Sequence, residues 1–207
     1  MKTFLFQGDS ITDFGRSRDN DNNLGIGYPL LFSADYLKTY PNEYKFLNRG
    51  ISGNRVVDVY ARIKIDILNL KPDYMSILIG VNDVWHELGC GNGVAAPKYE
   101  KVFSMLIEEI KEELPDIKIF ILEPFVLNAS ATSEHYDYFR PEVELRAAAA
   151  KRVAEKYDLI FVPLQQKFDE AAKIAPVEYW LGDGVHPAPA GHQLIKEALA
   201  EKFDEIR

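Results

Sequence analysis

Short apolar segments alternate with longer amphipathic segments along almost the whole 207-residue chain. The apolar segments have the length of buried strands, and the amphipathic segments have helical spacing. The predicted strands are residues 3–7, 44–48, 74–80, 117–124 and 159–164. The predicted helices are residues 28–40, 54–68, 98–114, 141–157, 165–174 and 188–205. This order predicts a five-stranded parallel sheet with helices on both faces, in a single domain that spans residues 1–207. The segment 74–80 is apolar on both faces, so we expect it near the centre of the sheet.

Composition and charge limit the kinds of partner and the cellular location that we expect for this protein. The net charge of −8 disfavours a nucleic-acid backbone or an anionic membrane surface as a partner. No apolar run approaches the ~18 residues that a membrane span needs, and the first strand begins near Thr3, which leaves no room for a secretion signal. We therefore expect a cytoplasmic protein. The single cysteine, Cys90, excludes an internal disulfide; its loop-like surroundings offer no neighbouring base. The oligomeric state stays open, and a homo-oligomer is one alternative.

Polar turns follow the predicted strands at four places. They are GDS at 8–10, GISGN at 50–54, GVND at 80–83 and GDGVHP at 182–187. Each turn alone is an ordinary connection between two secondary-structure elements. However, the carboxyl ends of parallel strands meet at one edge of a sheet, which is where such folds bind ligands. We therefore expect the four turns to form one site.

The residue types in these turns match the needs of acyl transfer from an ester. Such chemistry uses a nucleophile, a base, a group that orients the base, and donors for the oxyanion. Ser10 is the candidate nucleophile, His186 the candidate base, and Asp183 the group that orients His186. The candidate oxyanion donors are the N–H groups of Ser10 and Gly53 and the side-chain amide of Asn82.

The same blocks resemble the GDSL or SGNH hydrolase family. The residues that would name the SGNH group are Ser10, Gly53, Asn82 and His186, and they occur in that order. The similarity spans residues 8–187; the family motif usually has leucine where Ile11 stands. The resemblance implies a flavodoxin-like, three-layer α/β/α sandwich, a Ser-His-Asp esterase with Asp183 as its acid, and no metal or other cofactor.

Four longer segments resemble bacterial carbohydrate acetylesterases of this family, in particular cytoplasmic acetylxylan esterases that act on xylo-oligosaccharides. They are GDSITDFGR, GISGN, KPDYMSILIGVNDVW and DGVHPAPAGH. The resemblance implies an acetylated small molecule or oligosaccharide as substrate. Trp85 and Trp180 stand close to the motifs and are candidates for packing on a sugar, and Asp9 is a candidate for substrate binding or for capping the turn.

The four histidines differ in their expected roles. His186 belongs to the motifs. His86 and His135 are predicted to lie in loops, where they could line the pocket. His192 is predicted to lie in the last helix as a structural group.

Three other interpretations remain open. A metallophosphoesterase would use a two-metal site at the strand ends, for which the candidate ligands are Asp9, Asp13, Asn82, Asp83 and His186. A flavodoxin-like binding module without catalysis would leave the Ser-His-Asp order unexplained. A lipase or thioesterase would keep the triad, but we would expect an apolar lid, whereas the predicted loops at 86–97 and 128–140 are mixed and polar.

Overall fold

The computed structural model describes residues 1–207 and contains a five-stranded parallel sheet. Its strands are β1 (Lys2–Gly8), β2 (Tyr44–Asn48), β3 (Tyr74–Leu78), β4 (Lys118–Leu122) and β5 (Ile160–Val162). The strand order is β2-β1-β3-β4-β5, and every neighbouring pair is parallel. This is the flavodoxin-like order, in which the ligand site lies at the carboxyl ends of β1 and β3. The predicted strands and the central position of β3 are confirmed.

Ten α-helices surround the sheet. They are α1 (Ser10–Asp13), α2 (Tyr28–Thr39), α3 (Val56–Ala61), α4 (Ile63–Asp66), α5 (Val81–Cys90), α6 (Ala96–Glu113), α7 (Tyr136–Lys156), α8 (Gln165–Ala171), α9 (Val177–Trp180) and α10 (Pro189–Asp204). Single 3₁₀ turns lie at Leu68–Leu70 and Ser133–His135. None of the helices is long and apolar enough to cross a membrane.

Two separate hydrophobic cores make the three layers. Alternate residues of a strand point to opposite faces of a sheet. In β1, Phe4 and Phe6 belong to the core shared with α2 and α10, whereas Leu5 belongs to the core shared with α3 and α6. Met75 and Ile77 of β3 join Leu5 in the second core. The predicted α/β/α sandwich is therefore confirmed.

The predicted helix at 54–68 is wrong in one respect, because the chain breaks at Arg62 into α3 and α4. Arg62 leaves the helical conformation, with φ −113° and ψ 15°. Its guanidinium donates to the Asn54 side-chain oxygen at 2.7 Å and to the main-chain carbonyls of Arg49 and Gly8 at 2.9 and 3.2 Å. These bonds join the break to the last residue of β1, Gly8, and to the residue after β2, Arg49.

A second difference is the helix α5, where the sequence analysis predicted a loop from residue 86. Trp85 and His86 lie within this helix, and Cys90 is its last residue. The helix ends at Gly91, which adopts the left-handed conformation with φ 64° that glycine tolerates well. Cys90 is exposed, and its Sγ contacts the carbonyl of His86, one turn earlier in the helix.

A third difference is the start of α7, which begins at Tyr136 rather than at Pro141 and shortens the predicted loop at 128–140. Pro141 therefore lies inside the helix, where its missing N–H removes one main-chain hydrogen bond of the helix. The carbonyl left without this partner belongs to Asp137, which is exposed, so water can bind it. The remaining predicted helices lie within a few residues of their observed bounds.

Candidate active site

Three of the predicted site residues form a hydrogen-bonded chain. Ser10 is the first residue of α1, and only Asp9 separates it from the end of β1. Its Oγ lies 2.9 Å from His186 Nε2, and His186 Nδ1 lies 2.7 Å from Asp183 Oδ2. The turn that carries Asp183 and His186 therefore meets the carboxyl end of β1. This is the geometry in which a histidine can take the proton of a serine hydroxyl.

The main chain holds the Asp183 carboxylate in place. Its Oδ1 accepts the N–H groups of Val185 at 2.9 Å and of His186 at 2.8 Å. Partial burial raises the pKa of Asp183, but the hydrogen bonds from the His186 ring and from these N–H groups outweigh it and bring the pKa to about 2. The bond to Asp183 in turn raises the pKa of His186 above its ordinary value. An ionised Asp183 holds the proton of neutral His186 on Nδ1, so Nε2 accepts the Ser10 hydroxyl.

Three candidate oxyanion donors follow β1, β2 and β3: Ser10 at the start of α1, Gly53 in a turn and Asn82 near the start of α5. The Ser10 N–H is at a helix start, where no helix carbonyl accepts it. The Gly53 N–H makes no hydrogen bond within the protein. Gly53 has φ +80°, a backbone conformation that favours glycine. A Cβ added there would meet no atom within 4 Å, so the space beside this residue is open. The Asn82 amide nitrogen donates one N–H to the Asn54 carbonyl at 3.1 Å, which fixes the amide and leaves its other N–H for a ligand.

Asp9 is buried beneath Ser10. Its Oδ1 accepts the Ile11 N–H at 3.0 Å and caps α1, whereas its Oδ2 has no hydrogen-bond partner. Burial raises the pKa of Asp9 to about 7 and outweighs the opposing effects of the Ile11 N–H and the His186 charge. Because only 1% of Asp9 is exposed, it is placed to support the Ser10 turn and not to contact a substrate.

Two other carboxylates join the turns to one another. Asp13 Oδ2 accepts the N–H and the hydroxyl of Ser52 at 3.0 and 2.9 Å, which ties α1 to the turn after β2. Asp83 accepts the Val56 N–H at 3.2 Å, which ties α5 to α3. Both carboxylates thus bind protein groups, and no cluster of three or more acidic, histidine or cysteine side chains is arranged to hold a metal ion. The arrangement gives the two-metal interpretation no support.

The two tryptophans lie in different places. The Trp85 ring is 5.8 Å from the His186 ring, measured between centroids, so Trp85 borders the site. Trp180 instead lines a cavity of about 870 Å³ between α8 and α10, together with Tyr179. The structure therefore brings Trp85, but not Trp180, to the Ser10–His186 pair.

The other histidines take separate roles. His192 is buried in α10, and its Nδ1 accepts the Tyr28 N–H at 3.1 Å. Burial lowers the pKa of His192 to about 4, so it stays neutral as a structural group, as predicted. His86 is half-buried on α5, and His135 is exposed in the 3₁₀ turn before α7.

The loop between β4 and α7 lies against the Asp183–His186 turn, a contact that the sequence did not predict. The N–H groups of Leu127 and Ala131 donate to the carbonyls of Gly184 at 2.9 Å and of Asp183 at 3.0 Å. Gly184 has φ +99°, and a Cβ there would lie 2.6 Å from the Leu127 carbonyl oxygen. The glycine in DGVHP is the one sequence signal of this close approach.

Comparison with known proteins places this site in a family. The model of the GDSL-like lipase/acylhydrolase family matches residues 6–194. The chain is 34% identical over 215 residues to an acetylxylan esterase of Geobacillus stearothermophilus, covering 98% of this chain and 95% of the relative. A crystal structure of a protein from Parabacteroides merdae, assigned as a GDSL-like lipase, has a TM-score of 0.93 at 40% identity and covers 98% of this chain and 95% of its own.

Solved structures of the Geobacillus acetylxylan esterase include three described as catalytic mutants, in which a serine, an aspartate or a histidine is replaced by alanine. One of them has a TM-score of 0.87 at 31% identity and covers 98% of this chain and 94% of its own. The extent of these matches shows that the chain belongs to the GDSL-like lipase/acylhydrolase family and is a carboxylic ester hydrolase.

Proposed function

We propose that this esterase removes acetyl groups from acetylated carbohydrates through an acyl-enzyme on Ser10. The observation that carries the proposal is the chain of contacts from Ser10 Oγ through His186 to Asp183, at 2.9 and 2.7 Å. The donors on Gly53 and Asn82 follow β2 and β3, the two strands that lie on either side of β1. Similarity to an acetylxylan esterase supports the choice of substrate.

In the first half of the reaction, Ser10 Oγ attacks the carbonyl carbon of the ester, and its proton passes to His186 Nε2. The carbonyl oxygen becomes an oxyanion, which accepts hydrogen bonds from the N–H groups of Ser10 and Gly53 and from the Asn82 amide. The bond from the carbonyl carbon to the alcohol oxygen then breaks. His186 gives its proton to the departing alcohol, and the acetyl group stays on Ser10.

In the second half, a water molecule attacks the acetyl carbonyl, and His186 takes one of its protons. The same donors hold the second oxyanion. Collapse of this oxyanion breaks the bond to Ser10 Oγ, and His186 returns the proton to the serine. Acetic acid leaves and ionises to acetate in water. Asp183, with a pKa of about 2, stays ionised throughout and stabilises the imidazolium that forms in each half.

Within the class of acetylated carbohydrates, the specific substrate that we propose is an acetylated xylo-oligosaccharide. One solved structure of the Geobacillus relative is described as an acetyl-xylooligosaccharide esterase, at 32% identity to this chain. The segments 16–28 and 128–135 next to the site are predominantly polar, which suits a hydroxyl-rich alcohol better than a lipid.

The nucleophile is tested with a fluorophosphonate probe, which reacts with activated serines. We expect one label, located at Ser10 by mass spectrometry of the digested protein, and no label in Ser10→Ala. Ser76, a buried serine on β3, provides the matched control: Ser76→Ala should be labelled like the wild type. Undiminished labelling of Ser10→Ala would exclude Ser10 as the nucleophile.

The substrate is tested separately. Values of kcat/KM for acetyl, butyryl and octanoyl esters of one alcohol should fall with chain length, and acetate should be released from acetylated xylo-oligosaccharides. Faster cleavage of octanoyl esters, or no acetate from any sugar, would favour a lipase or thioesterase that uses the same triad.

A further inference from the structure

A small cavity of about 230 Å³ lies beside the triad, between α5 and the loop that precedes α7. Its lining includes the half-buried Trp85 and Leu88 and the buried Phe139, which we call its inner part, and the exposed Glu134 and His135, which we call its outer part. We propose that this cavity is the alcohol subsite, which binds the one sugar ring that carries the acetyl group. This inference rests on the proposed function and specifies where its substrate binds.

The position of the cavity identifies which side of the ester it receives. His186 Nε2 must give its proton to the departing alcohol oxygen, so the alcohol has to lie against the imidazole. Trp85 lines the cavity, and its ring centroid is 5.8 Å from that of His186, with 44° between the ring planes. The cavity and the group that protonates the alcohol therefore have Trp85 as a common neighbour.

The inner part of the cavity suits the apolar face of a sugar. A pyranose ring has C–H groups on its faces and hydroxyl groups around its edge. Trp85 is half-buried, and its ring packs on buried Phe139 with 5.9 Å between centroids, which holds the indole in one orientation. A fixed aromatic surface of this kind binds a flat apolar face with little loss of side-chain freedom.

The outer part suits the hydroxyl edge of the same ring. The Glu134 side chain is 88% exposed and that of His135 is 55% exposed, and their nearest polar atoms are 3.8 Å apart. A carboxylate accepts hydrogen bonds and an imidazole both donates and accepts, so together they match hydroxyl groups. An acyl chain would offer neither of them a hydrogen bond. The volume is below the roughly 300–1,000 Å³ of sites for drug-sized ligands, so the cavity fits a single ring.

The wall of the cavity is held rigidly with respect to the triad. Thr132 Oγ1 accepts the Ala129 N–H at 2.9 Å and donates to the Leu127 carbonyl at 2.7 Å, so this buried hydroxyl shapes the loop. The Ala131 N–H donates to the carbonyl of Asp183 at 3.0 Å. A ring bound in the cavity thus has a fixed distance to His186, as specific positioning of the ester requires.

The test compares two acetate esters in each variant. One is an acetylated xylo-oligosaccharide, and the other is ethyl acetate, whose alcohol is too small to fill the cavity. In Trp85→Ala we expect the ratio of the two kcat/KM values, sugar over ethyl, to fall about tenfold or more. In the surface variant Glu134→Ala with His135→Ala, which removes no buried group, the ratio should fall at least threefold. The control Tyr179→Ala removes an exposed aromatic side chain in the other cavity and should keep the wild-type ratio.

The outcomes separate this inference from the proposed function. Wild-type enzyme that cleaves ethyl acetate but releases no acetate from any sugar contradicts the proposed function, and the sugar subsite with it. Wild-type activity on sugars with an unchanged ratio in both variants contradicts the subsite alone. If Trp85→Ala instead changes the ratio of butyryl to acetyl esters of the same alcohol, the cavity is an acyl site and the proposal is wrong.

Discussion

Replacing Asp183 by asparagine tests the part of the site on which the proposed mechanism most depends. The carboxylate uses Oδ1 for two main-chain N–H groups, at 2.8 and 2.9 Å, and Oδ2 for His186 Nδ1, at 2.7 Å. An amide has only one oxygen. If that oxygen keeps the two N–H groups, the amide NH₂ faces Nδ1, which must then accept. The ring proton moves to Nε2, points at Ser10 Oγ, and leaves no acceptor for the hydroxyl proton.

The expected loss is large because the base is present in the wrong tautomer. The same change in a serine protease lowers kcat about 10⁴-fold, which corresponds to about 5.4 kcal/mol of transition-state stabilisation. The assay is kcat for an acetyl ester at pH 8 in Asp183→Asn, with circular dichroism to verify folding. Asp116→Asn, an exposed change in the turn before β4 at the other edge of the sheet, is the control and should match the wild type. More than a tenth of wild-type kcat in Asp183→Asn would refute the reasoning.

Three further predictions follow from the same geometry. Since Asp183 raises the pKa of His186 and the base must be neutral, kcat/KM should rise with pH along a limb centred above 6.5; a limb centred below 6 would contradict the assignment. Asn82→Ala should lower kcat about 10²- to 10³-fold and leave KM nearly unchanged in steady-state kinetics, and a rise in KM alone would make Asn82 a binding residue. Buried Asp9 holds its proton up to a pKa of about 7, whereas the unfolded chain releases it near 3.8, so this group destabilises the fold increasingly as pH rises from 4 to 7. In urea unfolding, the free energy of unfolding of Asp9→Asn minus that of the wild type should increase over this pH range, by up to about 4 kcal/mol. A difference that does not change with pH would place the titration elsewhere.

The sheet and the positions of the candidate site residues could be predicted because their signals are local. A strand such as 74–78 is apolar over its full length, and the motifs stand directly at strand ends, where topology alone brings them together. Asp183 and His186 are three residues apart, so their contact depends on one turn of chain. The predicted roles of Ser10 and Asn82 follow from the same argument.

The differences arise where distant groups decide the local conformation. The break at Arg62 depends on carbonyls of Arg49 and Gly8, which approach it only after the strands have paired. The glycines around Cys90 favour a loop from residue 86, whereas in the structure Gly91 marks the end of α5. The cavity beside Trp85 could not be predicted, because it forms between α5 and a loop whose position is set by bonds to the main chain of Asp183 and Gly184.

Those bonds also bear on how such an enzyme can diverge. The contacts from Leu127 to Gly184 and from Ala131 to Asp183 join main-chain atoms, and the one loop side chain that shapes this backbone by hydrogen bonds is that of buried Thr132. Asn128, Ser130 and Ala131 are exposed, and mutations there can accumulate without displacing the Asp183–His186 pair. Natural or directed evolution can therefore vary these exposed side chains while the Asp183–His186 pair keeps its position.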